Sequence, residues 1–311
     1  MDIEKFIENA IKDIREKTKG ERILVSCSGG VDSTITAILV GKATKNFSCY
    51  FIDSGLMRSH DYSDAQKNLG KFDIDVEYAD YSNFFFGALK GKKGPEEKRI
   101  AVRETFYKKA LPGIAKKEKT KYVAQGTIKA DIDETKAGIK TQHNVIEQIG
   151  ISYGFSLIEP LTSIYKNDVR ETASFLGLHE LAERMPFPGP GLATRIEGEV
   201  TREKVKLIRK AHEIVEEETE NALKKGKLSE RPFQIFPALL GSMATGTKEG
   251  KRTFEHLILL RAVKSKDALT AEVYELPYSF LEKITSKLTK ELNVRICYDI
   301  TPKPPATIEI I

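Results

Sequence analysis

Ile3, Phe6, Ile7, Ile11 and Ile14 fall on one face of a helix, so the chain opens on an amphipathic helical segment. The helical rhythm then gives way to a short continuous apolar run at residues 23–26. That run ends in Ser28, Gly29 and Gly30 before helical spacing resumes over 31–40. Strand, glycine turn, helix is the reading. The same alternation recurs along the chain. Residues 49–52 form an apolar run that stops at Asp53-Ser54-Gly55, residues 122–124 one that stops at Gln125-Gly126-Thr127, and Leu157-Ile158 a further candidate before Glu159-Pro160. Helical segments intervene, notably at 96–110 and 166–176. Strands alternating with helices predict an α/β fold, a doubly wound parallel sheet whose ligands bind outside the carboxyl ends of the strands.

The pattern changes at residues 186–191, Pro-Phe-Pro-Gly-Pro-Gly, which continue neither a helix nor a central strand. The domain boundary is placed there, giving domains 1–190 and 191–311. Beyond it a charged helix at about 201–225 and apolar stretches at 234–240, 257–263 and 294–300 predict a smaller α+β domain. Residues 128–149 are polar and weakly periodic, and are expected to form a mobile loop.

A chain of 311 residues, 40% of them hydrophobic, supports two cores. Its 50 basic and 45 acidic residues leave a net charge of +5, too balanced to call for a nucleic-acid partner and compatible with small anionic substrates. No apolar run approaches the roughly 20 residues that span a bilayer, and the N-terminus has no leader pattern, so no membrane association and a cytoplasmic location are expected. Cys27, Cys49 and Cys297 can form neither a closed disulfide framework nor a Cys-x-x-Cys pair. Cys27 and Cys49 lie in apolar runs and read as buried thiols.

The candidate chemistry begins at Ser28-Gly29-Gly30-Val31-Asp32-Ser33-Thr34. Where a strand turns into a helix, glycines let backbone N–H groups face an anion and the helix N-terminus adds positive potential, which makes a phosphate cradle. No G-x-x-x-x-G-K-[ST] is present, so the loop is not of the GTPase type. Ser28, Ser33 and Thr34 offer hydroxyls. Asp32 would repel phosphate unless a cation intervened, which makes it a candidate Mg2+ ligand, directly or through water. An ordinary turn with a serine-rich cap is the plain alternative.

Ser-Gly-Gly-Val-Asp-Ser resembles the signature of the N-type ATP pyrophosphatases, which cleave ATP between the α and β phosphates. The segments Phe51-Ile52-Asp53-Ser54-Gly55-Leu56-Met57-Arg58, Ala124-Gln125-Gly126-Thr127, Ile139-Lys140-Thr141-Gln142-His143-Asn144, the Pro/Gly cluster, and Lys303-Pro304-Pro305-Ala306-Thr307-Ile308-Glu309 resemble, in order, those of the synthetase part of GMP synthases. The resemblance implies adenylation of xanthosine monophosphate (XMP) at O2 with Mg-ATP, followed by displacement of AMP by ammonia. It implies ATP contacts at Ser28, Gly29, Gly30, Val31, Asp32, Ser33 and Thr34. Asp53 and Gly126, at what read as adjacent strand ends, are expected nearby. A mobile lid would carry an acidic pair, Asp131 and Glu134, with Lys140, His143 and Asn144 as its second motif; Lys140 would stabilise charge at the α-phosphorus and His143 would orient or deprotonate the xanthine. XMP would be held by Lys303, Thr307 and Glu309, with Gln234 and Arg295 as further candidates. Gln142 and Thr135 stand where the family usually has histidine and serine, and Gln142 cannot titrate. Ile310 and Ile311 replace the usual aromatic and acidic C-terminus.

No cysteine sits in a nucleophile turn with a histidine partner, so a separate glutaminase subunit is expected to supply ammonia. The resemblance also implies a homodimer through the C-terminal domain. Another ATP pyrophosphatase, such as NAD synthetase or a tRNA thiolase, is the alternative enzyme; a regulatory nucleotide-binding module is the non-enzyme alternative, against which Asp32, Lys140 and Lys303 count.

Overall fold

A computed structural model describes residues 1–136, 154–266 and 268–311, with side chains to Asp133 in the first stretch. Two compact units emerge. The first comprises Met1–Gly55, His60–Phe85 and Ile100–Arg184; the second comprises Leu56–Ser59, Phe86–Arg99 and Met185–Ile311. The second unit thus begins a residue before the Pro/Gly cluster and also takes two short segments from the first half of the chain.

In the first unit five strands, β1 (Ile23–Ser26), β2 (Phe47–Asp53), β3 (Val76–Asp80), β4 (Tyr122–Ala124) and β5 (Ser156–Ile158), form a sheet in the order β3-β2-β1-β4-β5. Every pairing is parallel. The chain runs outward from β1 to β3 and then returns to the other side of β1. The strand order therefore reverses between β1 and β4, the switch point at which open α/β sheets leave a crevice for ligands. Asp53 ends β2 and Gly126 lies in the loop after β4, so they flank β1 from opposite sides rather than ending neighbouring strands, as the sequence reading expects. The edge strand β3, Val-Glu-Tyr-Ala-Asp, escapes sequence reading because only its first residue is buried.

Among the described residues, the helices up to residue 182 are α1 (Ile3–Thr18), α2 (Val31–Ala43), α3 (Asp61–Gly70), α4 (Ser82–Leu89), α5 (Pro95–Thr105), α6 (Leu111–Lys117), α7 (Lys129–Lys136), α8 (Lys166–Phe175) and α9 (His179–Ala182). α2 packs against β1, β2 and β4 and against α1 and α8. It buries Val31, Ile35, Ala37, Ile38, Leu39 and Val40, which is apolar surface on all sides and marks a helix of the interior. The segment read as one helix at 96–110 is α5, started by Pro95 with Glu96 and Glu97 in its first turn, followed by a π-helical turn over Phe106–Ala110 that leads into α6. The expected loop from 128 begins instead as α7. The Asp131 carboxylate accepts from the Ile128 N–H at 3.1 Å and Lys129 pairs with Asp133 one turn on, contacts that a hydrophobic pattern does not register. The rest of that predicted loop, to residue 149, lies outside the described residues.

The second unit adds α10 (Arg202–Lys224), β6 (Gln234–Lys248), β7 (Lys251–Lys264), β8 (Glu272–Val273), α11 (Tyr278–Leu292) and β9 (Val294–Asp299). Thr201 caps α10 by accepting from the Lys204 N–H, and the helix buries Val205, Ile208, Ala211, Ile214 and Val215 while packing on β6 and α11. β6 and β7 form a long hairpin across Glu249-Gly250, both at positive φ, as a tight two-residue turn requires. β8 continues the antiparallel pattern, whereas β9 runs parallel to β7.

Candidate functional site

The loop after β1 sits on the carboxyl end of the central strand, at the switch point. Gly29 has φ +77°, and a Cβ there would lie 2.7 Å from the Asp61 carbonyl oxygen, so a side chain is excluded by both strain and space. Gly30 is the N-cap of α2 and offers no side-chain cap, which leaves the first N–H groups of the helix to an anion. Ser28 and Ser33 close the loop internally. The Ser33 hydroxyl donates to the Gly30 carbonyl at 3.0 Å and lies 3.2 Å from the Ser28 hydroxyl, while the Ser28 N–H donates to it at 3.1 Å.

Asp32 is poised between two kinds of partner. Its Oδ2 accepts from the Lys166 ammonium at 2.6 Å, whereas its Oδ1 is buried with no hydrogen-bond partner among the described residues. The Thr34 hydroxyl oxygen is in the same position. Such buried orphans are costly, and a bound cation or phosphate would satisfy them. Among the described residues no cluster of three His, Cys, Asp or Glu side chains could hold a metal. Magnesium, which takes one or two carboxylates and completes its shell with phosphates and water, nevertheless fits a single carboxylate with a free oxygen.

Gly126, after β4, closes the cradle from the far side: a Cβ there would lie 2.8 Å from the Asp32 carbonyl carbon and 2.9 Å from the Ser33 nitrogen. On the near side Arg184 acts as a strap. It donates to the Gly29 carbonyl at 3.1 Å and to the Asp61 carboxylate at 2.8 Å, and pairs with Asp64 at 3.1 Å. Asp53 is a turn builder, with Oδ1 accepting from the Gly55 N–H at 2.7 Å and Oδ2 from the Tyr78 hydroxyl. Burial and the Asp53 hydrogen bond push the Tyr78 phenol above its ordinary pKa, so it stays a donor. Cys27 and Cys49 are both buried beside the loop. The neighbouring Cys27 thiol and burial drive the Cys49 thiol above its ordinary pKa.

In the second unit the segment after β9 has, among the described residues, no ladder beyond one bridge between Ala271 and Lys303. Lys303 donates from Nζ to the Ala268 carbonyl at 2.7 Å, and the Thr307 hydroxyl donates to the Glu309 carbonyl. Glu309 is gripped by Arg195, whose Nη2 and Nε lie 3.2 and 3.3 Å from its two oxygens. Arg195 is itself buried over the Phe236 ring and bonded to His212, whose imidazole is driven below its ordinary pKa by burial. Gln234 donates to the Pro186 carbonyl at 3.3 Å, and its buried Oε1 has no partner among the described residues; Arg295 is exposed on β9. In the Pro/Gly cluster, Gly191 (φ +63°) brings its backbone against the Leu56 carbonyl, where a Cβ would stand 2.5 Å away.

Comparison with known proteins decides the family. Residues 221–310 match the family model described as GMP synthase C terminal domain. The chain is 45% identical to a subunit of the glutamine-hydrolyzing GMP synthase of Archaeoglobus fulgidus and 42% identical to the same subunit of Methanopyrus kandleri, over 99% of each chain. The chain belongs to the GMP synthase family, as its synthetase subunit. A glutamine-hydrolyzing GMP synthase of Thermosipho africanus, 40% identical, is matched over 98% of this chain but 61% of its own length.

In this GMP synthase family member, the residues singled out from sequence divide clearly. Ser28–Thr34 and Gly126 meet in one cradle, and Lys303, Thr307 and Glu309 share one segment with Gln234 and Arg295 in the same unit. Asp131 serves as a helix cap, and the Glu134 side chain, Lys140, Gln142, His143 and Asn144 lie outside the described residues. Sequence reasoning misses Lys166, Arg184 and Arg195. Lys166 and Arg184 reach the loop from more than a hundred positions away, and of the two only Lys166, the first residue of a helix, has a local signature at all. No helix among the described residues is long and apolar enough to cross a membrane.

Proposed function

We propose that this synthetase subunit adenylates XMP at O2 with Mg-ATP and then exchanges AMP for ammonia. The observation that carries this reading is Asp32: a carboxylate with a buried, unpartnered oxygen inside a glycine loop at the switch point, in a chain of the GMP synthase family. The XMP O2 oxygen attacks the α-phosphorus, and the bond to the bridging oxygen of the pyrophosphate breaks. Ammonia then adds at C2, and AMP leaves with the O2 oxygen. The N–H groups at the start of α2 and the hydroxyls of Ser28, Ser33 and Thr34 would hold the leaving pyrophosphate. Asp32 would hold magnesium, which when bound neutralises charge on the departing phosphates. The Lys166 ammonium, tied to Asp32, is a cation within reach of the same anion. From the resemblance, Lys140 and His143 would act on the α-phosphorus and the xanthine, with Asp131 and Glu134 as the acidic pair. Lys303 and Arg295 suit the 5′-phosphate, and Thr307, Glu309 and Gln234 suit the ring and ribose.

Ammonia would come from a separate glutaminase subunit, a reading supported by the Archaeoglobus fulgidus and Methanopyrus kandleri relatives, each itself one subunit of a glutamine-hydrolyzing GMP synthase. A homodimer through the second unit is part of the same proposal. Purified protein with Mg-ATP, XMP and ammonium is expected to give GMP, AMP and pyrophosphate, and to use glutamine only when a glutaminase is added. Formation of ADP and phosphate would contradict adenylation. Equal turnover of nicotinate adenine dinucleotide would favour an NAD synthetase, and robust glutamine use by the isolated chain would contradict the two-subunit reading.

A further inference from the structure

The segment proposed to receive XMP has a problem that its own sequence does not solve. Residues 300–311 form neither helix nor strand, so their carbonyls need partners from elsewhere. One side chain supplies several of them. Arg261, on β7, is 0% exposed. Its Nε donates to the Ile308 carbonyl at 2.9 Å, its Nη2 to the Thr307 carbonyl at 2.8 Å, and its Nη1 to the Thr301 carbonyl at 2.9 Å and to the Asp299 carboxylate. Arg261 and Asp299 are also register partners across β7 and β9, so the charge is balanced by the strand that leads into the segment. Against the opposing effect of burial, hydrogen bonds hold the Asp299 carboxyl below its ordinary pKa, and it stays ionised.

The consequence is geometric. By gripping Thr301 on one limb and Thr307 and Ile308 on the other, the guanidinium draws the two limbs of a turn together. Lys303 lies within that turn, and Thr307 and Glu309 lie on its returning limb. Only a planar fork with several donors can serve three carbonyls and a carboxylate at once; an ammonium on a flexible stem cannot.

We propose that Arg261 is the positioning residue of the acceptor segment, fixing the spacing between Lys303 and the Thr307–Glu309 limb on which XMP recognition depends. This rests on the XMP reading given above, and it extends it to a residue that need not touch the substrate. Asp299 is the counter-ion that lets the guanidinium remain buried.

The test is Arg261→Lys, which keeps the buried positive charge and loses the fork. The expected result is a folded protein with faster amide exchange across residues 300–311, an XMP KM raised about tenfold or more, an unchanged ATP KM and kcat within about threefold of wild type. A folded variant with wild-type XMP KM would overturn the proposal. So would equal rises in both KM values, which would mark a general structural role. Should Arg261→Lys fail to fold, Asp299→Asn keeps the volume and takes the counter-ion from the buried guanidinium, which loosens its grip on the three carbonyls. It is expected to raise the XMP KM alone, and an unchanged value would be equally fatal. Failure of the function reading itself is distinguishable, because wild-type protein would then show no XMP-dependent release of pyrophosphate.

Discussion

The phosphate cradle and the acceptor segment are built on opposite principles. The cradle is contiguous: seven residues running from the loop after β1 into the first turn of α2 carry the glycines, the hydroxyls and the carboxylate, and the buried sheet fixes where they stand. The acceptor segment is irregular and owes its shape to arginines from other elements, Arg195 on Glu309, Arg261 on three carbonyls and Arg99 on the Ile311 carbonyl at 3.1 Å. A site made by local backbone geometry can be read from a short sequence motif; a site made by distant side chains cannot. The first should fail when its backbone is strained or its charges are removed, and the second when its supports are removed.

Breaking the strap on the cradle should have the largest effect. Arg184→Ala removes a cation from the Asp61 carboxylate, which is 1% exposed, and breaking a buried pair costs about 3 kcal/mol or more. Thermal or denaturant unfolding should show this loss together with weaker ATP use, and unchanged stability would remove Arg184 as a strap. Asp32→Asn should follow, lowering turnover about a hundredfold or more at unchanged XMP KM, as loss of a group acting on the developing charge does. Wild-type turnover would return the loop to an ordinary turn. Lys303→Ala should weaken XMP use roughly ten- to hundredfold and leave the ATP KM alone, the worth of a charge-assisted hydrogen bond. Unchanged XMP dependence would mark the segment as surface.

The smallest effect sharpens the comparison as a control at the other end of β1. Burial alone would raise the Glu118 pKa, but hydrogen bonds from Ser48, Tyr50 and Arg22 outweigh it and hold the carboxyl down to about 2. A depressed folded-state pKa contributes stability that is present above the unfolded value, roughly 4.3, and is lost as pH falls towards about 2. Glu118→Gln should cost about 1 to 2 kcal/mol at neutral pH and flatten the acid limb of the stability profile in that window. Turnover at neutral pH should be unaffected, and a large loss of activity would mean that the two ends of the strand are not independent.

The contrast also explains which parts of the molecule are legible in sequence. β1, β2, β4 and β5 and the loop after β1 follow from apolar runs that end in turn residues, and Gly29 and Gly126 stand where a side chain would collide with backbone. β3 is not legible, since an edge strand with exposed Glu77 and Tyr78 has no apolar pattern. α11, with Phe280, Ile284 and Leu288 at helical spacing, is within reach of periodicity but is obscured by the charges around it. Arg261 and Arg195 read as ordinary charges in sequence, because burial and partnership with carbonyls and carboxylates are properties of the fold alone. The same holds for Lys166, whose meaning comes from lying 2.6 Å from Asp32.

The central claim, that this loop directs transfer of an adenylyl group to XMP O2, is tested most directly by oxygen tracing. XMP carrying 18O at the 2-position, turned over with Mg-ATP and ammonium, should deliver the label to the phosphate of AMP and leave pyrophosphate unlabelled. Label in orthophosphate or pyrophosphate, or AMP free of label while GMP accumulates, would contradict the account.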